Sequence, residues 1–149
     1  MEEISQGRLT LPDEDTDRYM YRATKRILQQ AGYRRYEISN YARPGYECRH
    51  NSGYWRRRDY LGFGVGAASL INNIRFKNGS DLKTYLQNPA DCREEVQSLS
   101  PGERMEEFLF LGLRMTDGVS AEEFASCFGR EMDWVYGYVI RRNTDDGLV

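Results

Sequence analysis

One stretch of this chain gathers its scarcest reactive residues. Residues 48–55 read Cys-Arg-His-Asn-Ser-Gly-Tyr-Trp and hold the chain's only histidine, His50. Arg56, Arg57 and Arg58 follow directly, and Arg43 and Arg49 lie just before the histidine. An imidazole can ligate iron or exchange a proton near neutral pH. Guanidinium forks suit carboxylates, which they hold through paired hydrogen bonds. Tyr54 and Trp55 offer flat apolar faces. Together these groups suit a flat, aromatic, carboxylate-bearing ligand such as a metalloporphyrin. A plain surface loop whose histidine caps a backbone carbonyl is the competing reading, and a lone histidine carries the larger weight on that side.

The other reactive positions offer less. Gly62, Gly64 and Gly66 stand in "GFGVGAAS", without the glycine spacing of a dinucleotide fingerprint and without the Lys-Ser/Thr pair of a phosphate loop. They read as a strand packed closely on a neighbour, able to form one wall of a cofactor pocket. Cys48, Cys92 and Cys127 are dispersed, which argues against a disulfide framework and against a Cys-x-x-Cys metal cluster.

The elements that must position the histidine stretch fall in two segments. Leu11-Pro12 and the acids Asp13, Glu14, Asp15 and Asp17 open a helix, with Tyr19, Met20, Ala23, Ile27, Leu28 and Ala31 as its apolar stripe and Gly32 as its stop. Tyr36–Ser39 reads as a strand, so that helix, glycine and strand make half of an α/β repeat. Pro44-Gly45 then opens a loop carrying the His50 stretch. Leu61, Phe63, Val65 and Ala67 alternate with glycines as a strand, and Ile71, Ile74 and Phe76 continue as an extended or hairpin-like section. Ser80-Asp81 starts a short helix. The second segment is helical: Ser100-Pro101-Gly102-Glu103 and Ser120-Ala121-Glu122-Glu123 are capping boxes, and a third helix carries Met132, Val135 and Val139. Three short helices with tight turns resemble a winged-helix core. The helix after Ser120 is acidic, so no nucleic-acid partner is expected.

The totals set wide bounds. The 149 residues are 40% hydrophobic and 13% aromatic, enough for a core, and the net charge of −2 marks neither a nucleic-acid nor a membrane protein. No apolar run approaches the roughly 20 residues of a bilayer span, and Met1-Glu2-Glu3-Ile4 is not a signal peptide; the odd, dispersed set of cysteines predicts a reducing, cytoplasmic setting.

The blocks "LPDEDTDRYMY", "YEISNYARPGYECRHNSGYW", "YLGFGVGAASLI" and "MEEFLFLGLRM", in this order, resemble the C-terminal half of the radical S-adenosylmethionine proteins related to oxygen-independent coproporphyrinogen III oxidase. His50, Asn51, Tyr54 and Trp55 match the His-Asn-x-x-Tyr-Trp motif of the haem-chaperone, HemW-type branch. The resemblance implies that residues 1–78 are the last units of a partial (β/α) barrel and residues 79–149 a small helical, winged-helix-like domain, truncated at its end. It implies haem as ligand, with His50 at the iron, Tyr54 and Trp55 on the ring, and haem-acceptor proteins as partners. Arg49 and Arg56 are assigned to the propionates from the composition of the stretch alone. A parent protein of this family carries a [4Fe–4S] cluster and S-adenosylmethionine, and the cluster-binding Cys-x3-Cys-x2-Cys run is absent here, so this chain is expected to lack radical activity. Exposed strand edges would favour self-association. The alternatives are an oxygen-independent coproporphyrinogen III oxidase of porphyrin biosynthesis and a non-catalytic interaction module.

Overall fold

The computed structural model describes residues 10–148; Met1-Glu2-Glu3-Ile4 and Val149 lie outside the described residues. The chain divides into two compact units between Glu47 and Cys48.

In the first unit, helix α1 (Glu14–Gln30) starts where the acids predict. Asp13 is its N-cap and accepts the Thr16 amide at 2.7 Å, and Glu14, Asp15 and Asp17 sit at the positive end of the helix dipole. Gly32, at φ +83°, turns the chain out of the helix. The strand expected over Tyr36–Ser39 is not formed. β1 (Arg34–Arg35) pairs antiparallel with β2 (Tyr41–Ala42), and Tyr36–Ser39 belongs to the connection between them. There Glu37 makes no more than an isolated bridge, and its buried carboxylate accepts the Ser39 amide at 2.8 Å. The Tyr21 hydroxyl of α1 donates to the Ile38 carbonyl at 2.9 Å and closes the connection onto the helix.

The second unit begins with α2 (Arg49–Trp55), followed by β3 (Ala68–Ile71), β4 (Ile74–Asn78), α3 (Leu82–Gln87), β5 (Arg93–Ser98), α4 (Pro101–Gly112), α5 (Ala121–Phe128) and α6 (Met132–Asp145). The strands form one antiparallel sheet in the order β3-β4-β5. Asn72 and Asn73, at φ +50° and +62°, make the two-residue turn of the β3–β4 hairpin, the left-handed pair that matches strand twist. β5 joins β4, so the sheet runs through position 78 into the later residues. Every strand pairing among the described residues is antiparallel.

Helices α4 and α5 start at the predicted caps, and the reciprocal box forms at Ser100 but not at Ser120. The Ser100 hydroxyl accepts the Glu103 amide while the Glu103 carboxylate accepts the Ser100 amide, a full capping box, and Ser120 caps α5 through the Glu123 amide at 3.2 Å. The apolar faces of the helices meet at Phe124, which is fully buried. Its ring lies 5.6 Å from Phe108, 4.8 Å from Phe128 and 6.0 Å from Tyr136. α4 and α5 close tightly because Gly112 has no side chain: a Cβ there would stand 2.4 Å from a Val119 methyl. No helix among the described residues is long and apolar enough to cross a membrane.

Candidate functional site

The His50 stretch is a helix, not the loop expected from the preceding Pro44-Gly45. α2 runs from Arg49 to Trp55 with Cys48 as N-cap, and Gly53 is accommodated within its last turn. Helical spacing sorts its residues. His50 and Tyr54, four apart, share a face, and their rings meet edge to face with centroids 4.5 Å apart at 73°. Tyr54 in turn meets Tyr60 at 4.4 Å and 90°. The three rings line an open groove of about 520 Å³, with Leu61, Phe63 and Gly62 on its other side. His50 is exposed and Tyr54 half-buried. Partial burial pushes the Tyr60 hydroxyl above the ordinary tyrosine range, so it stays a neutral donor.

Trp55 looks the other way. Arg114 lies over its ring at 4.2 Å, and its indole lines a separate cavity of about 170 Å³ with Arg56, Phe108, Met115 and Val119. Its Nε1–H is buried with no hydrogen-bond partner. Arg56 lies on that same side, 3.9 Å from Asp117. Asn51, four residues before Trp55, is half-buried, and Arg49 is exposed at the first helical residue. The structure therefore brings His50, Tyr54 and Gly62 together and places Trp55 and Arg56 behind them.

The glycine stretch is also not a strand. Residues 61–67 are irregular, and regular pairing starts at Ala68 after a single bridge from Tyr60 to Leu70. Gly64 and Gly66 hold φ +100° and +67°, which breaks extended geometry. Gly62 is required by space: a Cβ would meet the Ala68 carbonyl oxygen at 2.3 Å.

Two features escape sequence reading. The first is the buried ion cluster that fixes α2. Glu107, 5% exposed in the middle of α4, accepts from Arg57 Nε at 2.8 Å and from Arg75 Nη2 at 2.7 Å. Arg57 also donates to the Asn73 side chain at 3.3 Å. The only hint in the sequence is a pair of acids, Glu106 and Glu107, embedded in the apolar run Met105–Leu111. The second is Tyr60, which extends the aromatic wall without belonging to the motif.

The cysteines do not fit an iron–sulfur cluster. Cys48 and Cys127 are exposed, Cys92 is buried, and no group of three or more His, Cys, Asp or Glu among the described residues could hold a metal ion.

Residues 99–149 match the HemN C-terminal domain family. The heme chaperone HemW of Bacillus subtilis is 35% identical over 98% of this chain, and that of Lactococcus lactis 39% identical over 88%. The chain is a relative of the HemW proteins. It spans 39% and 35% of the length of these two. Among solved structures, the Escherichia coli coproporphyrinogen III oxidase HemN, described as a radical SAM enzyme, superposes with a TM-score of 0.72. That match covers 98% of this chain and 38% of HemN at 18% identity, and so speaks to the mixed α/β fold.

Proposed function

We propose that this chain carries the haem-contact element of a HemW-like haem chaperone of the radical S-adenosylmethionine family, and that it acts by binding haem and passing it to acceptor proteins. The observation that carries this is His50: the sole histidine, exposed on the wall of an aromatic groove and braced by Tyr54, in a chain whose relatives at 35% and 39% identity are named heme chaperones. A neutral imidazole is a common iron ligand, and tyrosine rings pack well on a flat macrocycle. In this reading His50 faces the iron and Tyr54 the ring. Asn51 and Trp55 back the helix from behind, and Arg49, exposed at the helix start, meets a propionate only in solvent, where such a pair contributes little. The oxidase reading rests on a likeness of fold at 18% identity and is the weaker one.

Within the whole protein, residues 1–78 are proposed as closing units of a partial barrel and residues 79–149 as its winged-helix-like domain. Gly62 is proposed as part of the wall that such a barrel turns to S-adenosylmethionine, with Gly64 and Gly66 shaping the loop around it. α1 has no buried residue and exposes Tyr19, Met20 and Ile27, which supports self-association of this chain on its own.

Absorbance titration with ferric haem tests the proposal. Saturable binding with a shifted Soret band is expected, and His50→Ala should alter that band. An identical spectrum in the variant removes the ligand role of His50.

A further inference from the structure

The groove beside His50 has two walls of different kinds, and the second bears on which part of a porphyrin enters. One wall is the aromatic row His50, Tyr54 and Tyr60. The other is the glycine loop, which presents Leu61 and Phe63 at 51% and 82% exposure. A solvent-facing aromatic ring is ordinary in itself. This loop, however, is held rigidly. The Gly62 amide donates to the Ser69 hydroxyl at 3.0 Å and the Gly64 amide to the Tyr85 hydroxyl at 2.9 Å. Asn78 Nδ2 donates to the carbonyls of Gly62 at 3.2 Å and Gly64 at 2.8 Å, and the Gly66 amide donates to the Gly79 carbonyl at 3.1 Å. Ser69 is fully buried and Asn78 6% exposed, so the pins cannot exchange freely with water. Phe63 is thus fixed outward by a stapled backbone, as a preorganised contact is.

Charge narrows the occupant. Apart from His50, the residues lining the groove are tyrosines, Leu61, Phe63, glycine and alanines, and none of them is a lysine or arginine. Arg56 faces Asp117 and Arg57 faces Glu107, both away from the groove. A carboxylate pushed between these walls would lose water and gain no cation, which is costly.

Resting on the haem reading above, we infer that the groove grips a metalloporphyrin by its apolar edge. The methyl and vinyl substituents lie between the Tyr54–Tyr60 pair and the Leu61–Phe63 loop, and both propionates remain in solvent.

The experiment is a set of absorbance titrations of the full chain with ferric haem and with its dimethyl ester, which keeps the apolar edge and cancels both carboxylates. The ester should bind within about threefold of haem. Phe63→Ala should weaken both ligands roughly tenfold or more, the cost of losing a buried phenyl contact, without moving the Soret band. Trp134→Ala, which removes an exposed aromatic on α6, should change neither. A tenfold loss on esterification, or unchanged affinity in Phe63→Ala, overturns the apolar-edge inference while haem binding stands. Absence of haem binding by the unaltered chain overturns the haem reading and this inference with it.

Discussion

Glu107 holds the His50 helix in place, and its replacement gives the sharpest test of how the site is built. The carboxylate is 5% exposed and receives Arg57 and Arg75 at 2.8 and 2.7 Å. Arg57 immediately follows the C-cap of α2 and adopts φ +50°, a left-handed conformation that costs about 1–3 kcal/mol for a residue with a side chain. The ion cluster holds it there. Glu107→Gln keeps the size and one acceptor but leaves the Arg57 guanidinium, whose side chain is 10% exposed, without an anion. Breaking a buried pair in this way costs about 3–5 kcal/mol. The Arg75 arm contributes little of that, because its side chain is 39% exposed and screened. We therefore expect a loss of about 3 kcal/mol. Urea unfolding followed by tryptophan emission measures it within the right unit, since Trp55 and Trp134 both lie after Glu47. Arg57→Gly removes the charge and the strain together, so it should cost less than Arg57→Ala by about 1 kcal/mol. In the Arg57→Gly background, Glu107→Gln should cost about 2 kcal/mol less than it does alone, a coupling within the usual range for contacting groups. If the double variant instead loses the plain sum of the two single losses, the pair does not hold the helix and the argument fails.

Three further outcomes follow from named contacts. Phe124→Ala empties the fully buried centre of the helical core and should cost about 3–5 kcal/mol in the same urea experiment. Gly62→Ala drives a Cβ into the Ala68 carbonyl and should lift the loop off Ser69, seen as faster hydrogen exchange of the Gly62 and Gly64 amides, at a cost of about 1–3 kcal/mol. Ser100→Ala should cost about 1 kcal/mol at pH 7 through the lost cap. The Ser100 hydroxyl and amide hold the Glu103 carboxyl below its ordinary range, so this group stabilises the fold above its unfolded value and stops doing so as pH falls through its lower folded value. The penalty of Ser100→Ala should therefore shrink in acid; a constant penalty from pH 7 to pH 3 would show that the Glu103 half of the box contributes nothing.

What was legible in the sequence was what neighbours in sequence decide. Asp13, Asp81, Ser100 and Ser120 cap their helices because a cap needs only an oxygen and an amide three residues on. Asn72-Asn73 turns its hairpin for an equally local reason. What was not legible depends on distant partners. β5 reads Arg-Glu-Glu-Val-Gln-Ser, exposed along its whole length with no alternation to detect, and it is a strand only because the β4 edge is there to pair with. The alternation of Leu61, Phe63 and Val65 imitates a strand, yet the backbone is set by Ser69, Tyr85 and Asn78, none of them adjacent in sequence. The same distinction runs through the site. His50 and Tyr54 pair by helical spacing, which the sequence contains once the segment is known to be a helix. That Trp55 turns to Arg114 rather than to the groove is decided by α4 and the chain after it, and so is the anchoring of Arg57 by Glu107. A motif of four residues is thus split by one helix into a face that can meet a ligand and a face that holds the helix in place. Variants of Trp55 should then act first on stability and only through it on binding, whereas variants of Tyr54 should act on binding directly. Equal unfolding midpoints for Trp55→Phe and the unaltered chain, together with a lost haem spectrum, would reverse that assignment.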